Sequence, residues 1–301
     1  MADPQYETYE NRLIQGDNLD VARGMPEESV DLCYIDPPFG TGRSRKGIEL
    51  GLSTGGRSRR SGEGQEFAYN DGWTGGIDAY VGWMRPRLDA FLRVLKPNGS
   101  LLVHVDWRAS HYVKVLLDEL AGRQRFVNEI VWHYATGGGR TARRLARKHD
   151  VILWYSRGEK YTCNLDAVSR PRHLCRLCGR KAPDKNHMKR TCDENGRAVR
   201  TIKSAGREYR YYDDDPAPLP DVWLDIAHLQ QRSPERTGYP TQKPLALLER
   251  LVLLCSNEED LVADFFMGTG TALVAAARLG RRWFGCDASP DAVELAKGRL
   301  P

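Results

Sequence analysis

The chain has 301 residues, 41% hydrophobic and 28% charged, which is long enough to bury a full core and too apolar for bulk disorder. Its net charge of +5 is a bias many enzymes share, so only the placement of charge can point to a polyanionic partner. Residues 1–10 lack a basic start followed by an apolar run, and the apolar stretch Leu245–Cys255 is broken by Glu249 and Arg250, so no membrane partner is expected and the predicted location is cytoplasmic.

Seven cysteines without a secretion signal read as reduced thiols rather than a disulfide framework. Residues 12–15 read as a short strand ending at Gly16-Asp17. Residues 30–35 read as a buried strand running directly into Asp36-Pro37-Pro38-Phe39-Gly40. Residues 40–66 carry eight glycines, four serines and six Lys/Arg, the composition of a mobile loop beside that segment. Tyr80, Met84, Leu88, Phe91 and Leu95 give residues 77–95 helical periodicity, stopped by Pro97-Asn98-Gly99 and followed by a strand at 100–105. A helix at 111–120 and strands at 126–134 and 151–155 come next, the two strands separated by Gly137-Gly138-Gly139 and the basic stretch 140–149 with Arg140, Arg143, Arg144 and Arg147.

After Tyr155 the α/β rhythm disappears. Residues 169–210 hold thirteen Lys/Arg against four Asp/Glu, a local charge of +9, with Tyr209, Tyr211 and Tyr212 interleaved or adjoining, which marks a region suited to phosphate contacts. Cys175, Cys178, His187 and Cys192 are ligand types suited to tetrahedral zinc, although their spacing fits no standard pattern and reduced structural thiols remain the favoured alternative. Regular structure resumes at Tyr239-Pro240-Thr241-Gln242-Lys243-Pro244, where Pro244 suits a helix start.

Residues 261–266, 267–270, 271–279 and 283–286 read as strand, glycine loop, helix and strand, closed by Asp287. Gly268 and Gly270 let the backbone approach a ligand at the helix amino end, and Asp287 is placed to accept hydrogen bonds from ribose hydroxyls. The third glycine of a dinucleotide loop is absent, its place taken by Leu273, so adenosine without pyrophosphate fits better. Only fourteen residues follow Asp287, so the rest of the sheet must come from the strands ending at Asp17, Asp36 and Asp106, and the order of parts is permuted.

With these parts in this order the sequence resembles the β-class amino DNA methyltransferases, in which a D/S/N-P-P-Y/F/W motif comes first, a target-recognition region second and the cofactor loop last. Asp264-Phe265-Phe266-Met267-Gly268-Thr269-Gly270-Thr271 is similar to the family's D-P-F-x-G-x-G-T motif, departing at Phe265, where the family usually has proline. The resemblance implies an α/β fold: a Rossmann-like class I methyltransferase sheet with helices on both faces, circularly permuted, with an inserted target-recognition region. The implied division is 11–157 for the first catalytic half, 158–236 for the insertion and 237–301 for the cofactor half. It implies S-adenosyl-L-methionine as cofactor, held by Asp17 near the adenine ring, Thr241, Gln242, Lys243 and Pro244 near the methionine end, and Asp264, Phe266, Gly268, Thr269, Gly270, Thr271 and Asp287. It also implies double-stranded DNA as substrate, and leaves a homodimer and a separate restriction endonuclease in the same system as expected partners.

Chemistry at Asp36, Pro37, Pro38 and Phe39 follows from the substrate. An exocyclic amino group is a poor nucleophile because its lone pair is delocalised into the ring. A carboxylate at Asp36 and the Pro37 carbonyl can accept its two N–H bonds and turn the lone pair towards the sulfonium methyl. Pro37 and Pro38 fix the backbone, and Phe39 can stack on a base flipped out of the duplex. No cysteine follows a proline, which disfavours the thiolate chemistry of carbon-5 methylation. Within the family, Asp in the first catalytic position leans to the 6-amino group of adenine, with the cytosine 4-amino group as the alternative. A nicotinamide oxidoreductase and a non-catalytic nucleic-acid-binding module are the readings from other classes.

Overall fold

The computed structural model describes residues 9–38, 44–46, 68–70, 75–134, 143–175, 180, 189–230, 232–239 and 241–301. Its central element is an 8-stranded sheet. The strands are β1 (Arg12–Gln15), β2 (Val30–Ile35), β3 (Leu95–Val105), β4 (Phe126–His133), β5 (His149–Ser156), β6 (Val222–Trp223), β7 (Leu261–Asp264) and β8 (Arg282–Asp287). Their spatial order is β1-β8-β7-β2-β3-β5-β4-β6. The first five run parallel, β5 is antiparallel to both neighbours, and β6 lies parallel to β4.

The two halves of the chain join where β2 meets β7, with Leu32 opposite Val262 and Cys33 opposite Ala263. That pairing is the permutation expected from the shortage of strands after Asp287. Central β2 is buried along its whole length, as a parallel strand covered on both faces must be. Its side chains alternate between layers. Cys33 and Ile35 share a core with Met84, Leu88 and Phe91 of helix α2 (Gly76–Val94) and Val113 and Leu117 of α3 (Ser110–Leu120); α1 (Asn18–Gly24) contributes Ala22 to the same layer. Leu32 and Tyr34 share the opposite core with Leu248 and Leu251 of α4 (Leu245–Cys255), Leu273 and Ala276 of α5 (Thr271–Arg278) and Val293 of α6 (Pro290–Lys297).

Several boundaries differ from the sequence expectation for local reasons. The strand expected at 100–105 begins at Leu95: Val30 pairs with Leu95 and Leu32 with Ser100, so Lys96-Pro97-Asn98-Gly99 bulges between them. The strand expected at 261–266 stops at Asp264, because the Asp264 carboxylate accepts the Phe266 N–H and turns the chain. Helix α1 and strand β6 were not expected, being too short to show periodicity. Within the loop expected at 40–66, Ser44–Lys46 pairs antiparallel with Ala68–Asn70, while 40–43 and 47–66 lie outside the described residues, as does the Gly137-Gly138-Gly139 run.

Between β5 and β6 the chain builds a 3-stranded antiparallel sheet from Lys189–Cys192, Ala198–Ser204 and Arg207–Tyr212. Its arginines are less available than the +9 run suggests. Arg190 and Arg200 both bond Asp213, and Arg197 bonds Asp214 and Asp215. The acids stand immediately beyond the window in which the charge was counted.

Candidate active site

Because the strands are parallel, the residues at the ends of β1, β2, β7 and β8 share one edge of the sheet. A cleft there is lined by Asp17, Asp36, Pro38, Thr241, Gln242, Lys243, Asp264, Phe266, Gly268, Thr269, Thr271 and Asp287, together with Asn18, Tyr34, Trp83, Arg87 and Tyr239. It lies where β2 and β7 diverge, the crevice in which open α/β sheets place ligands. Asp36 and Gly268 therefore face one cleft across adjacent strands. Among the expected site residues Pro37, Pro244 and Gly270 stand outside this lining, and Phe39 lies outside the described residues.

Asp36 leaves β2 with its side chain 15% exposed and bonded through Oδ2 to Lys243 Nζ. Its other oxygen, Oδ1, is buried and has no hydrogen-bond partner among the described residues. A buried carboxylate oxygen in that state is an acceptor held ready for a donor from outside the chain. Behind it, the Tyr34 hydroxyl bonds His104 Nδ1 at 3.0 Å, His104 Nε2 faces Asp150 Oδ2 at 3.3 Å, and Tyr134 donates to Asp150 Oδ1 at 2.9 Å. Burial pushes the Tyr34 phenol up, and the Asp36 charge adds to the push. Burial also works to raise Asp150, but the His104 hydrogen bond and charge, Lys243 and Tyr134 together hold it below the usual carboxylate range.

The glycine loop divides its work. Gly268 has φ of 49°, gives its N–H to Asp287 Oδ2 at 2.9 Å and passes 3.5 Å from the Tyr239 ring at the place a Cβ would occupy. Gly270 has φ of 70° and turns away from the cleft: a Cβ there would stand 2.9 Å from the Ala296 Cβ of α6. Its role is to start α5 and admit α6. Thr269 and Thr271 accept from Arg299 Nη1 at 2.8 and 3.0 Å, which ties the loop to the end of the chain. Asp287 Oδ1 accepts the Ser289 N–H, so both of its oxygens are oriented by backbone and each keeps room for a further donor.

Asp17 caps α1 by accepting the Leu19 N–H at 2.8 Å and receives Arg87 Nη2 at 2.8 Å. Buried Arg87 also donates to Asn18 and lies 4.0 Å over the Trp83 ring, and Trp83 tilts against Phe266 at 5.8 Å. Trp83 and Arg87 were missed from sequence. The available signal was an arginine placed inside the apolar stripe of α2, where a charge needs a partner. Gln242 holds the turn before α4, accepting from Thr237 and donating to the Glu235 carbonyl at 2.7 Å. Pro244 caps α4 as expected of a proline at a helix start.

The electrostatics of the cleft call for a cation. Asp264 is 3% exposed; burial drives its carboxyl well above the usual range against the Phe266 N–H, and Asp36 and Asp287 push it further. Asp287 is raised by burial as well. Aromatic walls, oriented carboxylates beside a glycine turn and unfavourable negative charge suit a nucleoside that carries a positive sulfonium. A carboxyl whose folded pKa is raised this way costs stability as pH climbs from its unfolded value towards its folded one, so Asp264 weighs against the empty fold at neutral pH. Asp264→Asn keeps an oxygen for the Phe266 N–H and removes the ionisable group. It is expected to raise the melting temperature of the ligand-free protein at pH 7.5 by about 2–4 °C and to reduce the further rise given by S-adenosylmethionine. Differential scanning fluorimetry with and without the cofactor reads both effects, and an unchanged ligand-induced rise counts against this role.

The described residues contain no group of three or more His, Cys, Asp or Glu arranged to hold a metal; Cys178 and His187 of the suggested zinc set lie outside them. No described helix is long and apolar enough to cross a membrane.

A family model described as DNA methylase, for the N6/N4 methyltransferases, matches residues 30–298. Type II methyltransferase M.EcaI of Enterobacter cloacae is 31% identical over 336 residues, covering 97% of this chain and 70% of that protein. Type II methyltransferase M.HpaI of Haemophilus parainfluenzae is 26% identical over 291 residues, covering 97% and 74%. Among solved structures, the PvuII DNA methyltransferase, described as cytosine-N4-specific, superposes with a TM-score of 0.62 at 17% identity over 97% of this chain and 86% of that one. The M1.HpyAVI complex with S-adenosylmethionine gives 0.53 at 19% identity over 96% and 99%. The fold is that of these methyltransferases, with the mainly parallel sheet and helices on both faces expected from the sequence. The chain belongs to the DNA methylase family of N6/N4 amino-methyltransferases, whose methyl donor is S-adenosylmethionine.

Proposed function

We propose that this enzyme methylates the 6-amino group of adenine in double-stranded DNA at a specific sequence, with Asp36 as the residue that prepares the amino group. The observation that carries the reading is the state of the Asp36 carboxylate, on a residue that lines the cleft: one oxygen is held by Lys243 and the other is buried and has no hydrogen-bond partner among the described residues. An amino N–H donated to Oδ1 draws the nitrogen towards tetrahedral geometry, and the rigid Pro37-Pro38 backbone keeps that oxygen in place. S-adenosylmethionine, when bound, supplies an electrophilic methyl on a cationic sulfur. In this reading Phe266 and Trp83 flank its adenine, Asp287 takes ribose hydroxyls, and Tyr239 to Lys243 border its methionine end. The target base must leave the duplex to reach Asp36, because its amino nitrogen is inaccessible within the stack.

In this reading residues 158–236 form the target-recognition region, 11–157 the first catalytic half and 237–301 the cofactor half. The support is the insertion of a separate antiparallel sheet between β5 and β6. The cytosine 4-amino group is the second reading, favoured by the likeness to the PvuII enzyme's fold. The leaning to adenine rests on Asp, rather than Ser, at position 36. Incubation with labelled S-adenosylmethionine and duplex DNA, followed by nucleoside digestion and mass spectrometry, is expected to yield 6-methyladenine. Recovery of 4-methylcytosine alone would transfer the same Asp36 chemistry to the other base.

A further inference from the structure

Just beyond the end of β3, outside the cleft lining, is a surface the methyl transfer itself does not use. Trp107 is 40% exposed, with the Arg147 guanidinium 3.2 Å and the Arg108 guanidinium 4.8 Å from its ring centroid. Arg144 is the third cation of the group: desolvation lowers Arg147 from its ordinary range, and the charges of Arg144 and Arg108 lower it further. The nearby acids are engaged. Asp106 accepts from the backbone and side chain of Arg108, and Asp150 is bonded to His104 and Tyr134. Leu145, between Arg144 and Arg147 in sequence, is 90% exposed.

A lone exposed leucine is ordinary, but this one has a telling position. Ile35 pairs with Val103, so Asp36 is level with His104 and Trp107 follows three residues later on the adjacent strand's path. Val105 pairs with Val151, so the segment carrying Leu145 enters β5 on the next strand, at the same edge of the sheet. The cations and the aliphatic side chain therefore belong to segments at the same edge of the sheet as Asp36.

We propose that Leu145 enters the DNA base stack in the place vacated by the flipped target nucleotide, while Arg147, held over the Trp107 ring, grips the flanking phosphates with Arg144. The proposal rests on the base-flipping reading of the active site. A vacated position in a duplex is bounded by two apolar base faces, which an aliphatic wedge can cover without bringing a charge into the stack. Guanidinium groups suit the phosphates on either side, and stacking on an indole fixes the direction of the fork.

The test uses the full chain and a duplex bearing its mapped methylation site, once fully paired and once with an abasic position opposite the target base. Leu145→Ala is expected to lower kcat/KM on the paired duplex by about tenfold and to match the unsubstituted enzyme on the unpaired one, where opening costs less. Arg147→Ala is expected to reduce the slope of log affinity against log salt by about 1 on both duplexes. The exposure of both side chains keeps folding out of the comparison. Equal behaviour of Leu145→Ala on the two duplexes, impaired or not, overturns the wedge, and an unchanged salt slope for Arg147→Ala overturns the phosphate grip. Equal affinity of the unsubstituted enzyme for the paired and unpaired duplexes would instead overturn the flipping reading beneath both.

Discussion

Asp36→Ala is expected to slow methyl transfer by about 10²–10³-fold in single-turnover experiments, the usual effect of removing one preorganised partner from a reacting group. Cofactor affinity, measured separately by calorimetry, should change by only a few-fold, because the glycine loop, Asp287 and the aromatic walls of Trp83 and Phe266 all remain in the cleft. Asp36→Asn is expected to be nearly as damaging. An amide has one oxygen, and if Lys243 Nζ takes it, the NH₂ group occupies the place of Oδ1 and presents a donor to the donor it should receive. Lys243→Met in the Asp36→Asn background frees the amide to turn and should recover part of the lost rate, a coupling that a double-mutant cycle isolates. Full single-turnover activity in Asp36→Ala would remove Asp36 from the reaction.

Phe265→Ala is expected to be the most destabilising of the substitutions considered, by about 3–5 kcal/mol, the range for truncating a buried phenylalanine. The ring is fully buried, stacked on Phe91 at 4.5 Å with 12° between planes, and within 5.8 Å of Phe284. It joins β7 and β8 to helix α2 immediately beside the cofactor loop, so its apolar area and stacking geometry contribute together. Phe265→Pro, which would restore the residue usual in the family, should cost a similar amount because this core has been filled by the larger ring. Urea unfolding should show a lower midpoint with an unchanged slope, and a midpoint within error of the parent would show that the cavity closes without cost.

The parts of the site carried by strand ends were legible in the sequence. Asp36 and Asp287 each stand where a run of buried residues stops, and buried runs with abrupt polar ends are strong local signals; Gly268 was marked by the glycine loop after the apolar run, while the earlier stop at Asp264 was not. The shortage of strands after Asp287 even required the junction that β2 and β7 make. Trp83 and Arg87 were hidden because the apolar periodicity of α2 accounts for its helix without them. The antiparallel course of β5 depends on how the chain returns from β4, a tertiary matter with no local signature. Phe265 looked like a minor departure from a motif, since a motif compares identities while the ring's contribution comes from Phe91, distant in sequence. The basic segment was overcounted because a window cannot register Asp213, Asp214 and Asp215 just past its edge.

The junction between β2 and β7 also sets a timetable for synthesis. A ribosome makes β2 early, yet the neighbour on one of its sides is not translated until residue 261, and β1, whose described partner is β8, must wait until residue 282. At 5–20 residues per second, that leaves the edge of β2 without its native cover for about ten seconds or more. An uncovered strand edge invites pairing with another chain. The nascent protein therefore passes through an aggregation-prone interval that an unpermuted order of the same strands would shorten, and the enzyme acquires its cofactor cleft only once residues 261–287 have emerged.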